Sequence, residues 1–183
     1  DGLVRNMLAR GEHTITLNYS KALTTATASA LTQAFTSRVK TYCEQMYNAV
    51  SCRSYSTGKV VLTFSSTACT DKTLESYRAK ALAAAIKVHD SLWKSGTLSY
   101  DMSQYEIART YFQWLCDHCR YDNAAADDSA SHLAYGALVS GLAVCDGYTG
   151  AYNLLLKLEG IECTSLFNDS HIWTLATLDG TQY

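Results

Sequence analysis

The chain has 183 residues, 48% of them apolar and 17% charged. That is enough for one large domain or two small ones, in the range of an ordinary globular protein. The formal net charge of −2, with signs interspersed, offers no basic face for nucleic acid, and no apolar stretch approaches the roughly 20 residues of a membrane span. Residues 1–12 show no clear period and read as a loose arm. His13 to Tyr19 alternates and predicts a half-buried strand with Ile15 and Leu17 on one face. From Thr25 to about Ala49, Leu31, Phe35, Val39, Tyr42 and Met46 recur every three or four residues, as on one face of a long helix, while Ser37, Lys40 and Glu44 face away. Gly58 breaks the chain, and Lys59 to Ser65 predicts a second strand. Strand, helix and strand make a small α/β unit, residues 1–69, in which nothing looks catalytic.

Thr70-Asp71 offers an N-cap for a helix running to about Ser95. Its buried stripe is Leu74, Tyr77, Ala81, Ala84, Val88 and Leu92, with His89 one position off it. Gly96 ends this helix, and the polar turn Ser99 to Ser103 caps the next, from Gln104 to about Arg120. That helix carries Ala108, Tyr111, Phe112, Leu115 and Cys119 along one face. Residues 121–131 form a small polar loop with Asp127 and Asp128 solvated, and His132 to Gly141 leads into the stretch that carries the chemistry.

Seven cysteines are many for this length: Cys43, Cys52, Cys69, Cys116, Cys119, Cys145 and Cys163. The odd count suits a secreted or cell-surface thiol protein with up to three bridges and one free nucleophile; the alternative is a set of reduced thiols in the cytoplasm. A first residue other than Met fits a mature or trimmed product. Cys43 and Cys52 bracket a short polar loop and can pair. Cys116-Asp117-His118-Cys119 is a single C-x-x-C with one histidine, too few ligands for a structural zinc site, which needs four. A disulfide or simple packing is expected there, and no metal or cofactor is expected anywhere.

In Val144-Cys145-Asp146-Gly147-Tyr148 an apolar run turns into a helix. Tyr148, Ala151, Tyr152, Leu155 and Leu158 recur at helical spacing, and Gly160 stands where a C-cap glycine belongs. A thiol in the first turn feels the positive end of the helix dipole and unpaired amides, which favour the nucleophilic thiolate. Downstream, Asn168-Asp169-Ser170-His171-Ile172-Trp173 opens a strand-like run to Leu178 that ends at Asp179-Gly180. Cys145 opening a helix and His171 opening a strand make a thiol–imidazole pair. His132 is a rival imidazole, on the wrong side of the helix start.

These two motifs, with Leu154-Leu155-Leu156, Gly160-Ile161-Glu162-Cys163 and Leu178-Asp179-Gly180-Thr181-Gln182-Tyr183 around them, resemble the transglutaminase-like superfamily over about the last 80 residues. The resemblance implies an α+β fold: residues 70–183 as a papain-like core, helices packed on an antiparallel sheet, with residues 1–69 as an accessory unit. It implies Cys145 as nucleophile and His171 as general base. The family's third residue, an Asp, belongs a few positions beyond Tyr183, so a second chain or a further segment is expected to complete the sheet; Asp179, in the hairpin turn, does not match it. Trp173 matches the family's H-x-W, and alternation puts it on the His171 face, as a shield for the pair or as a plain core aromatic.

The chemistry so implied is acyl transfer on peptide or protein amides through a thioester, with the Cys145 N–H plus Tyr135 or a loop amide holding the oxyanion. Water as acceptor gives a protease or amidase, the activity to which compact, bacterial-looking members lean; an amine gives transamidation. The alternative in another class is a non-catalytic transglutaminase-like interaction module. A third reading makes Cys145 a structural thiol and His171 a satisfied core histidine.

Overall fold

The computed structural model describes residues 2–10, 12–42, 49–66 and 71–183. Cys43, Met46, Cys69 and Thr70, and with them the Cys43–Cys52 pairing, lie outside the described residues.

The expected loose arm at the N-terminus is instead a helix, α1 (Gly2–Ala9). Val4 and Met7, one turn apart, are fully buried, and that packing orders a segment too short to hold a helix by itself. Strand β1 (Thr14–Asn18) buries Ile15, with Leu17 half-buried. Helix α2 spans Thr25–Tyr42. The expectation that it runs on to Ala49 is corrected, because Ala49–Ser54 is a strand, β2, which buries Val50. Strand β3 (Lys59–Ser65) alternates regularly and buries Val60, Leu62 and Phe64. The three strands form one antiparallel sheet in the order β1-β3-β2. Gly58 closes the β2–β3 turn at φ 83°, and a side chain there would collide with the Tyr19 carbonyl 2.1 Å away. Helix α2 covers the sheet and sets Phe35 edge-to-face on Phe64 at 6.1 Å.

Helix α3 (Asp71–Lys94) and helix α4 (Gln104–His118) form the outer layer of the core. Ser103 and Glu106 close a reciprocal capping box at the start of α4. Strands β4 (Arg120–Tyr121) and β5 (Leu142–Ala143) pair in parallel over two residues. Between them a one-turn 3-10 helix, Ala130–His132, and a π-helical turn, Gly136–Ser140, bring the chain back to α4. Helix α5 (Cys145–Leu158) is central, with α3 and α4 on one side and the antiparallel sheet β6 (Cys163–Phe167), β7 (Ile172–Leu178) and β8 (Thr181–Gln182) on the other. Leu155 and Leu156 are fully buried between the layers, where truncation of either to Ala costs about 2–5 kcal/mol.

Helix α5 ends in a Schellman motif: Gly160 stands at φ 69°, its N–H bonds Lys157 O at 3.1 Å, and the Ile161 N–H bonds Leu156 O at 3.0 Å. The neighbouring Glu159 carboxylate accepts from Trp93 Nε1 of α3 at 2.9 Å and from the Tyr111 hydroxyl of α4, tying three helices together. The molecule is thus α+β, with helices packed on antiparallel sheets. Its two hydrophobic clusters meet where Tyr77 of α3 stacks on Tyr135 at 4.2 Å.

Candidate active site

Cys145 is the first residue of α5, after Val144 as an extended N-cap. A helix N-terminus leaves its first amides without intrahelical partners, so the thiol belongs to the turn at the positive end of the helix dipole. The preceding loop holds this turn from three directions. Val144 N–H bonds Ser131 O at 3.0 Å. The Asp146 carboxylate accepts from its neighbour Gly147 N–H at 3.0 Å and pairs with His132 Nδ1 at 2.9 Å. Gly147 is where the loop comes closest: a Cβ there would lie 2.2 Å from Ser131 O. Ser131, itself buried, donates its hydroxyl to Asp122 at 2.6 Å. His132, the rival imidazole, is therefore part of this clamp and does not line the Cys145 cleft.

His171 stands just ahead of β7. The Asn168 side-chain oxygen accepts from the Ser170 and His171 amides at 3.0 and 2.8 Å, and Asn168 N–H bonds His171 O at 2.9 Å. This Asx-type turn fixes the backbone that carries the imidazole. Trp173 is on the same strand face, its ring stacked on that of His171 at 5.9 Å and 20°. At 41% exposure it is a wall residue rather than a core aromatic.

Two buried polar side chains hold α5 to β7. Thr149 donates to the Cys145 carbonyl at 2.7 Å, and its hydroxyl also lies 3.2 Å from the carbonyl of Ile172. Asn153, 1% exposed, donates to Ser165 Oγ at 2.9 Å and accepts from Thr174 Oγ1 at 2.7 Å. Ser165 and Thr174 are cross-strand partners of β6 and β7. Sequence reading missed both residues, because a Thr and an Asn inside a helix carry no signal until their partners from distant strands are known.

Cys145, His171 and Trp173 line one cavity of about 590 Å³. One wall is a face of α4, namely Phe112, Leu115 and Cys116, with Cys119 as its C-cap; another is the face of α5 that begins at the thiol, namely Cys145, Tyr148, Thr149 and Tyr152. The start of β7 and Tyr121 close it. No carboxylate is among the described residues lining it. Tyr135, one of two candidate oxyanion donors with a loop amide, is not among the described residues lining this cavity. Its ring lies against Tyr77 and lines a separate cavity of about 230 Å³ with Leu74, Leu133 and Leu154. Phe112, expected on the buried face of α4, is 56% exposed and faces this cleft. Cys116, Cys119 and Cys145 are free thiols here. Burial pushes the Cys119 thiol up, and burial with the Cys119 hydrogen bond pushes the Tyr148 hydroxyl up as well. Among the described residues no cluster of three or more His, Cys, Asp or Glu side chains is placed to hold a metal ion, and no helix is long and apolar enough to cross a membrane.

Residues 93–180 match the family described as the transglutaminase-like superfamily. Over that stretch the chain is similar to a transglutaminase-like core. The match takes in α4, the whole of α5 and the β6–β7 hairpin, and with them every side chain just placed around the cleft. A solved structure described as "Crystal structure of a TGase" aligns at 13% identity with a TM-score of 0.45, over 92% of this chain and 49% of its own. The chain thus spans about half the length of that protein. A comparison with curated protein sequences found no match.

Proposed function

We propose that the transglutaminase-like core is a thiol enzyme performing acyl transfer on peptide or protein amides, with Cys145 as nucleophile and His171 as general base. The observation that carries this reading is the sharing of one cleft by a cysteine at the first position of a buried helix and a histidine held at the start of the adjacent strand. The positive end of the α5 dipole supports negative charge at the sulfur. The thiolate attacks the carboxamide carbon, and the Cys145 N–H is one donor to the resulting oxyanion. Collapse expels ammonia or an amine, which takes its proton from the imidazolium of His171, and leaves a thioester on Cys145. Water or an amine then attacks the thioester, with His171 accepting its proton, to give a carboxylic acid or a new amide.

Alkylation with iodoacetamide from about pH 5 to 9, followed by peptide mass mapping, tests this. Cys145 is expected to be modified faster than the other thiols, and His171→Ala is expected to slow it. A Cys145 that reacts no faster than Cys116, an exposed thiol of the same cleft, would overturn the enzyme reading and leave a binding scaffold.

A further inference from the structure

Apart from Cys145 and His171, the cleft wall is aromatic and aliphatic, with Cys116, Cys119, Thr149 and Thr174 as small uncharged residues between. Phe112, Tyr121 and Trp173 are 56%, 52% and 41% exposed, and all three line this cavity. Apolar side chains gathered at one exposed site mark a place where something apolar binds. Each belongs to a ring pair: Phe112 edge-to-face on Tyr152 at 6.2 Å, Tyr121 parallel to Tyr148 at 6.3 Å, Trp173 on His171. The inner hydroxyls are used within the protein. Tyr152 donates to Ala108 O at 3.0 Å, and Tyr148 hydrogen-bonds the Cys119 thiol. Their rings are thus left as apolar surface. No Asp, Glu, Lys or Arg is among the described residues lining the cleft, so a charged side chain entering it would lose its hydration with no partner to replace it.

Resting on the acyl-transfer reading, we infer that this groove is a specificity subsite for an uncharged aromatic or large aliphatic side chain that flanks the reacting amide, with Phe112 and Tyr121 as specificity-determining residues. The geometry gives the spacing. Tyr152 lies seven residues beyond Cys145 on α5, about 10 Å along the helix axis. An extended peptide covers that distance in about three residues, at about 3.3–3.6 Å each. The preferred donor therefore carries its aromatic residue about three positions from the reacting amide, with the position two away as the near comparison. A cavity of about 590 Å³ holds a segment of this size.

The test uses Cys145→Ala protein, so that binding is read apart from chemistry, with capped glutamine peptides bearing Phe, Ala or Asp two and three positions away, followed by calorimetry. The Phe peptides are expected to bind about tenfold tighter or more than the Ala and Asp peptides, the scale of burying one aromatic ring. Phe112→Ala or Tyr121→Ala on this background removes the preference; both side chains are more than half exposed, so neither change hollows the core. Equal binding of all peptides, no binding of any, or a preference unmoved by both substitutions overturns the subsite. The alkylation experiment judges the acyl-transfer reading separately, since it needs no peptide.

Discussion

Gly147 shows how much of the site rests on one missing side chain. Its hydrogen points at Ser131 O, where a methyl carbon would lie at 2.2 Å, with Leu133 O a further 3.0 Å neighbour. Both obstacles are backbone, so neither can swing aside. Gly147→Ala is expected to lower stability by about 1–3 kcal/mol, the range for forced overpacking, and to slow Cys145 alkylation in the folded protein, because the loop that holds the first turn of α5 must retreat. Urea unfolding with labelling at low denaturant reads both; unchanged values in the two would contradict the clamp. The glycine was visible in the sequence as part of the Cys-Asp-Gly motif, and so were Cys145, His171 and Trp173, because each follows from a local pattern. The reason for the glycine was not visible, since Ser131 reaches it only through the fold. The position of Tyr135 was hidden for a related reason: closeness in sequence to the nucleophile says nothing about which cavity the ring lines.

At the scale of elements, the β7–β8 hairpin is fastened to α4 by its own turn. Asp179 and Gly180 stand at φ 51° and 81°, the pair of positive values that a two-residue type I′ turn needs. The Asp179 carboxylate also accepts from the Gln104 and Tyr105 amides, each at 3.1 Å, while Gln104 Oε1 accepts from Asp179 N–H at 2.9 Å. The residue is both a hairpin turn and a second cap on a helix about 75 positions earlier. Asp179→Asn keeps the turn and weakens the cap, whereas Asp179→Ala loses both. The expected loss for Ala is about 1–2 kcal/mol in urea, with Asn in between; equal stability of wild type and Ala would show the contact to be idle. Only the turn half of this role was legible, from Asp-Gly at the end of a strand-like run. The long elements α3, α4 and α5 were legible with most of their buried faces, Phe112 being the exception, because their period is sustained over many turns. Helix α1 and strand β2 were not. Each is short, and each is decided by packing: Val4 and Met7 in the core, and β2 against β3.

Across the whole molecule, the tyrosines of the core set a limit at high pH. Burial, reinforced by the Glu159 carboxylate, raises the Tyr111 hydroxyl far above its ordinary range, and burial pushes Tyr152 up to about 12. For a group whose native pKa is raised, the neutral form is favoured in the folded state. Its stabilising contribution is therefore complete below the unfolded value of about 10 and is lost as pH rises toward the native value. The protein is expected to keep these tyrosines protonated above pH 10 and to release them together with the fold by about pH 12. Near-ultraviolet absorbance and circular dichroism, followed together, would show one coincident transition. Ionisation of all tyrosines near pH 10 with the fold intact would contradict it. Tyr111 and Tyr152 lie on α4 and α5, so the same transition reports on the layer behind the cleft.

The amide of Asn153 has a consequence for how the cleft assembles. Its two ends are filled only when Ser165 and Thr174 stand opposite one another. If β7 formed one residue out of step, His171 and Trp173 would turn to the far side of the sheet. The same mistake would strand a sealed amide, at about 1–3 kcal/mol for each unmet group. The helix thus proofreads the strand: an error that would scramble the reactive end of the molecule is penalised at a distance, by atoms that never meet a substrate.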